Sequence, residues 1–342
     1  MIFFTVFILL LISEVFLRLF HIVPVNVVNE SIYPNVLGDY KPSQKLLSDY
    51  IIKHRITINS LGLRGKGLEV EKPKNVYRVL VLGDSYTFGS RVNDEETFPF
   101  LIEKFLNDSP LLNKRIEVIN GGHGAYSTRE EYEYLLERGI KLNPDMVIVA
   151  WFPNDIKELS REHSWRSLLK KHYEYEPFKT YVRSSALFSF FRIYASYAFL
   201  KMKFTSYVPK EEINVFDNEE TEKEKILWNL CFNYILKIKN ICDEKGYKFL
   251  LVALGDPIQF YDSQGFKPQK QLILFSKKRG LMALDTTEKF ALKKNSSYYY
   301  LLPKDPHFSA KGNHLVAEII YNFLKEKNLS RENNQKIKVK KN

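Results

Sequence analysis

The chain has 342 residues, of which 45% are hydrophobic, and it carries a formal net charge of +11. This hydrophobic fraction is ample for a folded core, and the length allows one large or two modest domains. No nucleic-acid-binding motif accompanies the positive charge, so a nucleic-acid partner is not expected. Attraction to anionic lipid headgroups or to an acidic polymer is the favoured interpretation of the charge.

The N-terminal residues 1–25 predict a membrane anchor. Residues 1–12 are uncharged and almost wholly apolar, and the apolar character continues past Glu14 and Arg18, approaching the ~20 residues that span a bilayer. A cleaved signal peptide is the alternative, but the chain lacks a basic n-region and a small-x-small cleavage site. We therefore expect a single transmembrane helix with the rest of the chain on the extracytoplasmic side, and secretion after cleavage as the alternative.

Apolar runs alternate with helical patterns from residue 76 onward. Thr128 with Glu131, and Thr221 with Glu224, form capping boxes that predict the starts of two helices. The second helix is predicted to run through about Lys245 and to end at Gly246, a C-terminal glycine cap. A further helix is predicted over residues 310–325. Alternating strands and helices imply βαβ units around a parallel sheet, whose strands are nearly continuous apolar runs. The predicted strands cover residues 78–82, 116–120, 146–150, 247–254 and 281–284.

The first predicted strand ends at a Gly-Asp-Ser tripeptide, Gly83 to Ser85. A serine at the C-terminal end of a buried parallel strand lies where open α/β sheets bind their ligands, so Ser85 is a candidate nucleophile. In the alternative interpretation, Asp84 and Ser85 only cap the next helix.

Residues near the C-terminal end supply the partners that such a serine needs. A serine hydroxyl is a weak nucleophile that requires a neighbouring base, and the base requires a group that fixes its tautomer. His307 and Asp305 fit these two roles. Asn154, at the end of another apolar strand, carries an amide that can donate to a developing oxyanion. The small-residue loop 120–128 offers backbone N–H groups for the same task.

These four segments, in this order, resemble the sequence blocks of the SGNH (GDSL-type) hydrolase superfamily. The resemblance implies a flavodoxin-like three-layer α/β/α sandwich with a mainly parallel sheet. It also implies that Ser85 is the nucleophile, His307 the base and Asp305 the acid that orients it. In that family the oxyanion hole would consist of the N–H groups of Ser85 and Ala125 and the side-chain amide of Asn154.

Three departures from the family pattern accompany this resemblance. The second block has Ala125 where glycine is usual, and its N–H can serve if the φ angle is negative. The third block has Pro153 where glycine usually precedes the asparagine. Asp305 lies two residues before His307 rather than the commoner three.

Four further residues are possible substrate contacts. Asp84, His123 and Gly124 lie in the blocks that carry the nucleophile and the small-residue loop. For His123, local hydrogen bonds within the loop are an equal alternative. Arg64 lies in residues 56–65, which resemble the Asn-Ser-x-Gly-x-Arg segment of membrane-anchored bacterial members of the superfamily. Arg64 can bind a substrate anion, although a structural turn is the favoured interpretation.

The resemblance covers roughly residues 55–325 and suggests how the chain is organised. The predicted segments are an anchor (1–25), an N-terminal extension (26–75), a hydrolase domain (76–328) with an insertion at 156–220, and a basic tail (329–342). Within the insertion, the aromatic-rich residues 184–204 predict a helix over the sheet, with a lid or a membrane-surface helix as alternatives. Cys231 and Cys242 lie too far apart along one predicted helix for a disulfide.

The sequence thus predicts a membrane-anchored serine esterase or O-acyltransferase. Its predicted substrates are short acyl esters of an envelope glycan, with acetyl as the favoured acyl group. An acyl-enzyme would form on Ser85. A lipid ester is the rival substrate, and a non-catalytic glycan-binding or scaffold protein with the same fold is the alternative from another class. The chemistry requires no metal ion and no diffusible cofactor, and the sequence makes no prediction of oligomeric state.

Overall fold

A computed structural model describes most of the chain. The described residues are 2–20, 36–48, 54–109, 113–175, 185–188, 190–191, 215–216, 220–261, 266–292, 296–302 and 305–327. The predicted basic tail and most of the aromatic-rich segment 184–204 lie outside these residues.

Five parallel strands form the central sheet, in the spatial order β4-β3-β5-β6-β7. Counted from the first of them, this is the order 2-1-3-4-5 of flavodoxin-like doubly wound sheets. Each predicted apolar run overlaps one of these strands, which confirms the prediction of a parallel α/β sheet. Strands β3 to β7 comprise Val76–Gly83, Arg115–Gly122, Met146–Trp151, Lys248–Ala253 and Ala283–Asp285.

Helices cover both faces of the sheet. Along β3, Leu80 and Leu82 face one helical layer, whereas Val79 and Val81 face the other. This explains the nearly continuous apolar runs, because parallel strands are buried on both faces. The first layer contains α4, α7 and α9, and the second contains α3 and α11. In the described part of the chain, helices α1 to α11 comprise Ile2–Leu19, Ser85–Phe88, Phe98–Asp108, Thr128–Glu137, Asn154–Glu158, Trp165–Tyr175, Glu222–Lys245, Ile258–Tyr261, Lys267–Arg279, Thr287–Ala291 and Ala310–Glu326.

Helix α7 begins and ends where the sequence predicts. The Thr221 hydroxyl accepts the N–H of Glu224 at 3.2 Å, and the Glu224 carboxylate accepts the N–H of Thr221. At the other end, Gly246 has a left-handed φ of 72° and closes the helix. Cys231 and Cys242 both lie on this helix as buried free thiols, as predicted.

The capping box of helix α4 lies one residue earlier than predicted. Ser127 has extended backbone angles, and the Glu130 carboxylate accepts the N–H of Ser127 at 3.0 Å. Thr128 is therefore the first helical residue, and Glu131 does not cap the helix. Instead, the Glu131 side chain is buried near Asp155.

Part of the N-terminal extension packs against the domain. Strands β1 (Gln44–Ser48) and β2 (His54–Ile58) pair antiparallel, and Arg64 pairs with Asn120 on the edge strand β4. Residues 36–43, here called the strap, precede this hairpin. The strap brings Tyr40 into a small buried cluster with Phe88, which follows the nucleophile candidate.

Helix α1, Ile2–Leu19, differs from the predicted transmembrane helix. No helix in the described part of the chain is long and apolar enough to cross a membrane. At 1.5 Å per residue, the 18 residues of α1 reach about 27 Å, less than the ~30 Å hydrocarbon core. Its Glu14 carboxylate also accepts hydrogen bonds from the Ser185 hydroxyl and from the N–H groups of Ala186 and Leu187, each at 2.8 Å.

Candidate active site

The candidate site lies at the carboxyl ends of β3 and β5, where the strand order of the sheet reverses. Gly83, the last residue of β3, pairs with Ala150 on β5 and with Gly122 on β4. Ser85 follows β3 and Asn154 follows β5. Doubly wound sheets bind ligands in the crevice at such a reversal, so the topology brings the two predicted site residues to a suitable place.

The structure brings Ser85, His307 and Asp305 into one hydrogen-bonded chain. Ser85 Oγ lies 2.7 Å from His307 Nε2, and His307 Nδ1 lies 2.6 Å from Asp305 Oδ1. Because an ionised carboxylate only accepts hydrogen bonds, Nδ1 carries the proton and Nε2 presents its lone pair to the serine hydroxyl. Both nitrogens are thus arranged for a base that takes the Ser85 proton.

The short spacing between the acid and the histidine has a local explanation. Asp305 Oδ1 accepts the backbone N–H of His307 at 2.9 Å as well as its Nδ1–H. A carboxylate that bonds the backbone two residues ahead forms an Asx-turn. This turn folds the two side chains together, so a two-residue spacing suffices where the family more often has three.

Arg91 is a site residue that the sequence analysis missed. Its Nε lies 2.6 Å from Asp305 Oδ2, and its backbone has a left-handed φ of 61°. Burial raises the pKa of Asp305, but the hydrogen bonds from His307 and the charge of Arg91 outweigh burial and hold it below its ordinary value. An arginine that follows the nucleophile by six residues matches no motif, so only the structure identifies it.

Tyr86, next to the candidate nucleophile Ser85, supports the turn that carries Asp305 and His307. Its hydroxyl donates to the carbonyl of Pro306 at 3.0 Å, and its ring centroid lies 4.7 Å from that of His307. On its other side the ring stacks on Phe152 at 3.8 Å. Since Tyr86 and Phe152 are both buried, they form a floor beneath the site.

The three predicted oxyanion donors lie around this crevice. Ser85 is the first residue of α2, so its N–H has no acceptor within the helix. The β4–α4 loop with Ala125 is held alongside the nucleophile because the His123 N–H donates to the carbonyl of Gly83 at 3.0 Å. Ala125 has a φ of +62°, so the negative φ under which its N–H was expected to serve is not present, and its N–H can serve only if this backbone is held in place. A residue with a Cβ in this conformation is disfavoured and must be held by its surroundings.

Asn154 faces Asp84. Its Nδ2 donates to Asp84 Oδ2 at 3.0 Å, while Asp84 Oδ1 accepts the backbone N–H of Tyr86 at 2.8 Å. Asp84 is 1% exposed, so it is not the substrate contact that the sequence suggested. Burial raises the pKa of Asp84 to about 6, although these hydrogen bonds and the nearby His307 lower it.

Arg64 is also unavailable to a substrate. Its side chain is buried and ion-pairs with Asp94 at 3.2 Å. Its guanidinium therefore braces the turn after the candidate nucleophile, in agreement with the favoured interpretation of a structural role. The carbonyls that accept its other hydrogen bonds are those of Phe88, Gly89 and Val92.

His123 and Gly124 contact the strap. The His123 ring, 2% exposed, stacks between Tyr40 at 4.2 Å and Tyr126 at 4.3 Å, and Gly124 donates its N–H to the Tyr40 hydroxyl at 3.1 Å. Burial lowers the pKa of His123 to about 4, despite the nearby Asp39, so the ring is neutral at pH 7. A buried, stacked His123 does not face a substrate.

Two buried carboxyl groups lie behind the crevice. Glu131 and Asp155 are 1% and 0% exposed, and neither carboxylate has a hydrogen-bond partner among the described residues. Burial raises the pKa of both groups well above the ordinary range, and the nearby Asp84 adds to this effect. Asp155 directly follows Asn154, but the sequence alone did not indicate that Glu131 lies beside it.

No family model matches the chain, and a search of curated proteins found no match. Solved structures are similar at low identity. A lipase/acylhydrolase from Enterococcus faecalis has 13% identity and a TM-score of 0.44, covering 73% of this chain and 96% of that one. A GDSL-like lipase from Bacteroides thetaiotaomicron has 12% identity and a TM-score of 0.40, covering 76% and 92%. The acetyl xylan esterase AlAXEase has 14% identity and a TM-score of 0.43, covering 72% and 100%.

Proposed function

We propose that the protein is a serine-dependent carboxylic ester hydrolase that works through an acyl-enzyme on Ser85. The observation that carries this proposal is the hydrogen-bonded chain from Ser85 Oγ to His307 Nε2, at 2.7 Å, and from His307 Nδ1 to Asp305, at 2.6 Å. A serine next to a base that is itself oriented by a carboxylate is the arrangement that acyl transfer requires.

The reaction begins when Ser85 Oγ attacks the ester carbonyl and His307 takes its proton. Asp305 stabilises the imidazolium, and the ion pair with Arg91 at 2.6 Å holds the Asp305 carboxylate in place. The negative charge of the tetrahedral intermediate is stabilised by the N–H of Ser85 and by two further donors, the Ala125 N–H and the Asn154 amide. His307 then protonates the leaving alcohol, and water attacks the acyl-enzyme in the second half of the reaction.

We further propose that the acyl group is short, with acetyl favoured, and that the alcohol is an envelope glycan. In the described part of the chain, the aromatic side chains next to the nucleophile (Tyr86, Phe152 and Phe308) are buried against one another and do not line an open acyl-binding tunnel. Polar groups from Arg91 and Asn154 lie beside the crevice instead, which suits a hydroxylated substrate better than an alkyl chain.

Transfer to a sugar hydroxyl, cleavage of a lipid ester and non-catalytic glycan binding are the alternatives to this hydrolysis. A sugar hydroxyl could replace water in the second step with the same residues. A pure binding module has no need for a hydroxyl, a base and an acid in hydrogen-bonded order, so the geometry favours catalysis.

We also propose that the protein works at a membrane on the extracytoplasmic side, with secretion after cleavage as the alternative. Apolar side chains on every side of helix α1 are exposed, for example Phe3 at 91%, Phe7 at 59% and Leu19 at 69%. A helix with this many exposed apolar side chains calls for an apolar environment. Sedimentation of the full chain with the membrane fraction, and its release by detergent rather than by salt, tests this location.

A fluorophosphonate probe tests the proposed activity. The full chain, purified in detergent, should form one adduct that mass spectrometry maps to Ser85, and Ser85→Ala should abolish it. Hydrolysis of aryl esters should be fastest for acetyl or propionyl groups. Absence of labelling in a folded protein would favour the binding module, whereas faster cleavage of decanoyl than of acetyl esters would favour a lipid substrate.

A further inference from the structure

Ala125 is held in its left-handed conformation by contacts on all sides. Its carbonyl accepts a hydrogen bond from Arg161 Nη2 at 2.6 Å. The preceding residue, Gly124, donates its N–H to the Tyr40 hydroxyl at 3.1 Å, and the hydroxyl of the following residue, Tyr126, donates to Asp39. Ala125 is the third residue of a turn in which the His123 carbonyl accepts the Tyr126 N–H at 3.3 Å, and a non-glycine residue in this conformation needs support from its surroundings, which these three contacts provide.

Two of the three contacts come from the strap, which is itself firmly held. The Asp39 carboxylate, 3% exposed, forms ion pairs with Arg138 at 2.5 Å and Arg166 at 2.8 Å. The ring of Tyr40 stacks on His123 within the same loop, with only 9° between the ring planes. A buried carboxylate with two arginine partners and a flat ring stack both restrict movement, so the strap is a rigid support for the loop.

We propose that Tyr40 and Asp39 are positioning residues of the oxyanion hole, which hold Ala125 left-handed so that its N–H can serve the developing oxyanion. This inference rests on the proposed ester hydrolysis. The sequence predicts that the strap belongs to an extension outside the hydrolase domain. In this proposal the strap positions the loop that carries an oxyanion donor. Neither residue touches the reacting atoms, so both act through the backbone of the loop.

The substitution Tyr40→Phe tests this role most directly. It removes the acceptor of the Gly124 N–H but keeps the ring that stacks on His123. We expect kcat to fall about three- to tenfold, the size of one lost hydrogen bond, with KM changed less than about twofold, because an oxyanion contact strengthens mainly in the transition state. Tyr321→Phe is the control, since the Tyr321 ring lies on the last helix against Phe105, outside both the strap and the loop.

A second substitution distinguishes positioning from general stability. Glycine adopts φ > 0 about as readily as φ < 0, so Ala125→Gly removes the preference of alanine for a negative φ, which the strap has to overcome in the wild type. In the Ala125→Gly background, Tyr40→Phe should therefore lower kcat less than about twofold. An equal loss of kcat in both backgrounds, counted per titrated active site, would overturn the inference, because a merely structural Tyr40 gains nothing from glycine at position 125.

Hydrogen exchange provides a readout that does not depend on activity. The amides of residues 121–127 should exchange faster in Tyr40→Phe than in the wild type, while those of the Thr221–Lys245 region should not change. If the wild-type protein is not labelled at Ser85, the proposed function fails, and the exchange rates still report whether Tyr40 holds the loop. If the wild type is active and Tyr40→Phe matches it in kcat and in exchange, only the present inference fails.

Discussion

The side-chain amide of Asn154 donates to the carboxylate of Asp84 at 3.0 Å, although the two residues are 70 positions apart. The residue before the nucleophile thus orients a predicted oxyanion donor that follows a different strand. An amide has two N–H groups, so one can remain on Asp84 while the other serves the oxyanion. The contact connects the first and third sequence blocks and makes their roles interdependent.

Removing the Asn154 amide should affect catalysis more than stability. Asn154→Ala is expected to lower kcat by roughly a hundred- to a thousandfold with little change in KM, since the lost interaction is made mainly in the transition state. The measurement is kcat per titrated active site, together with the unfolding midpoint. A variant that is destabilised but fully active would remove Asn154 from the oxyanion hole.

Replacing Asp84 by asparagine should lower activity while raising stability at higher pH. The folded pKa of Asp84, about 6, exceeds the ordinary 3.8 because of burial, so its neutral form stabilises the fold at low pH and this stability is lost as the pH rises through about 6. Asp84→Asn cannot lose a proton, so its unfolding midpoint should exceed that of the wild type at about pH 8, and the difference should shrink at about pH 4.

The same substitution should lower kcat, on the order of tenfold, because one amide oxygen must replace two carboxylate oxygens that hold Tyr86 and Asn154. The exposed Asp108 provides the control, as Asp108→Asn should change neither property with pH. Equal pH dependence in Asp84→Asn and the wild type would show that the burial of Asp84 does not govern its ionisation.

Removing Arg91 should raise the pH at which the protein begins to lose stability on acidification. The pKa of Asp305 is held below its ordinary value partly by the charge of Arg91, so the ionised acid is lost only as the pH falls through that lowered value. In Arg91→Ala the unfolding midpoint should begin to fall at a higher pH on acidification, and Arg91→Lys, which keeps the charge, should lie between this variant and the wild type.

The conformation of Arg91 offers an internal control. With φ at 61°, glycine fits the backbone better than alanine, so Arg91→Gly should unfold at a higher temperature than Arg91→Ala while showing the same dependence of the midpoint on pH. An equal pH dependence in the wild type and both variants would show that Arg91 does not tune Asp305.

The buried acids behind the crevice should make the protein less stable at alkaline pH. Burial raises the pKa of Glu131 well above 4.5, so its neutral form stabilises the fold below that value and this stability is lost as the pH rises through the folded pKa. Glu131→Gln should therefore raise the unfolding midpoint, and more so as the pH increases. Glu318→Gln, at an exposed position on the last helix, is the control. A midpoint shift that is the same for both variants at every pH would contradict the prediction.

The elements that depend on local pattern were predictable from the sequence. Apolar runs predicted all five parallel strands, because a strand buried on both faces needs apolar residues at nearly every position. The helix from Glu222 to Lys245 was predicted by its capping box and its terminal glycine. Since ligands bind at the carboxyl ends of such strands, the sequence also indicated Ser85 and Asn154 as candidate site residues.

What only the tertiary structure decided are the partners of these residues. The hydrogen bond between Ser85 and His307 joins positions 222 residues apart, and the strap meets the β4–α4 loop across 84 residues, at Tyr40 and Gly124. Such contacts depend on strand order and on which face each helix covers. For the same reason, Arg64 and His123, which the sequence suggested as substrate contacts, are buried and support neighbouring loops instead. Residue type indicates what a side chain can do, whereas packing decides whether it reaches solvent, a substrate or another part of the chain.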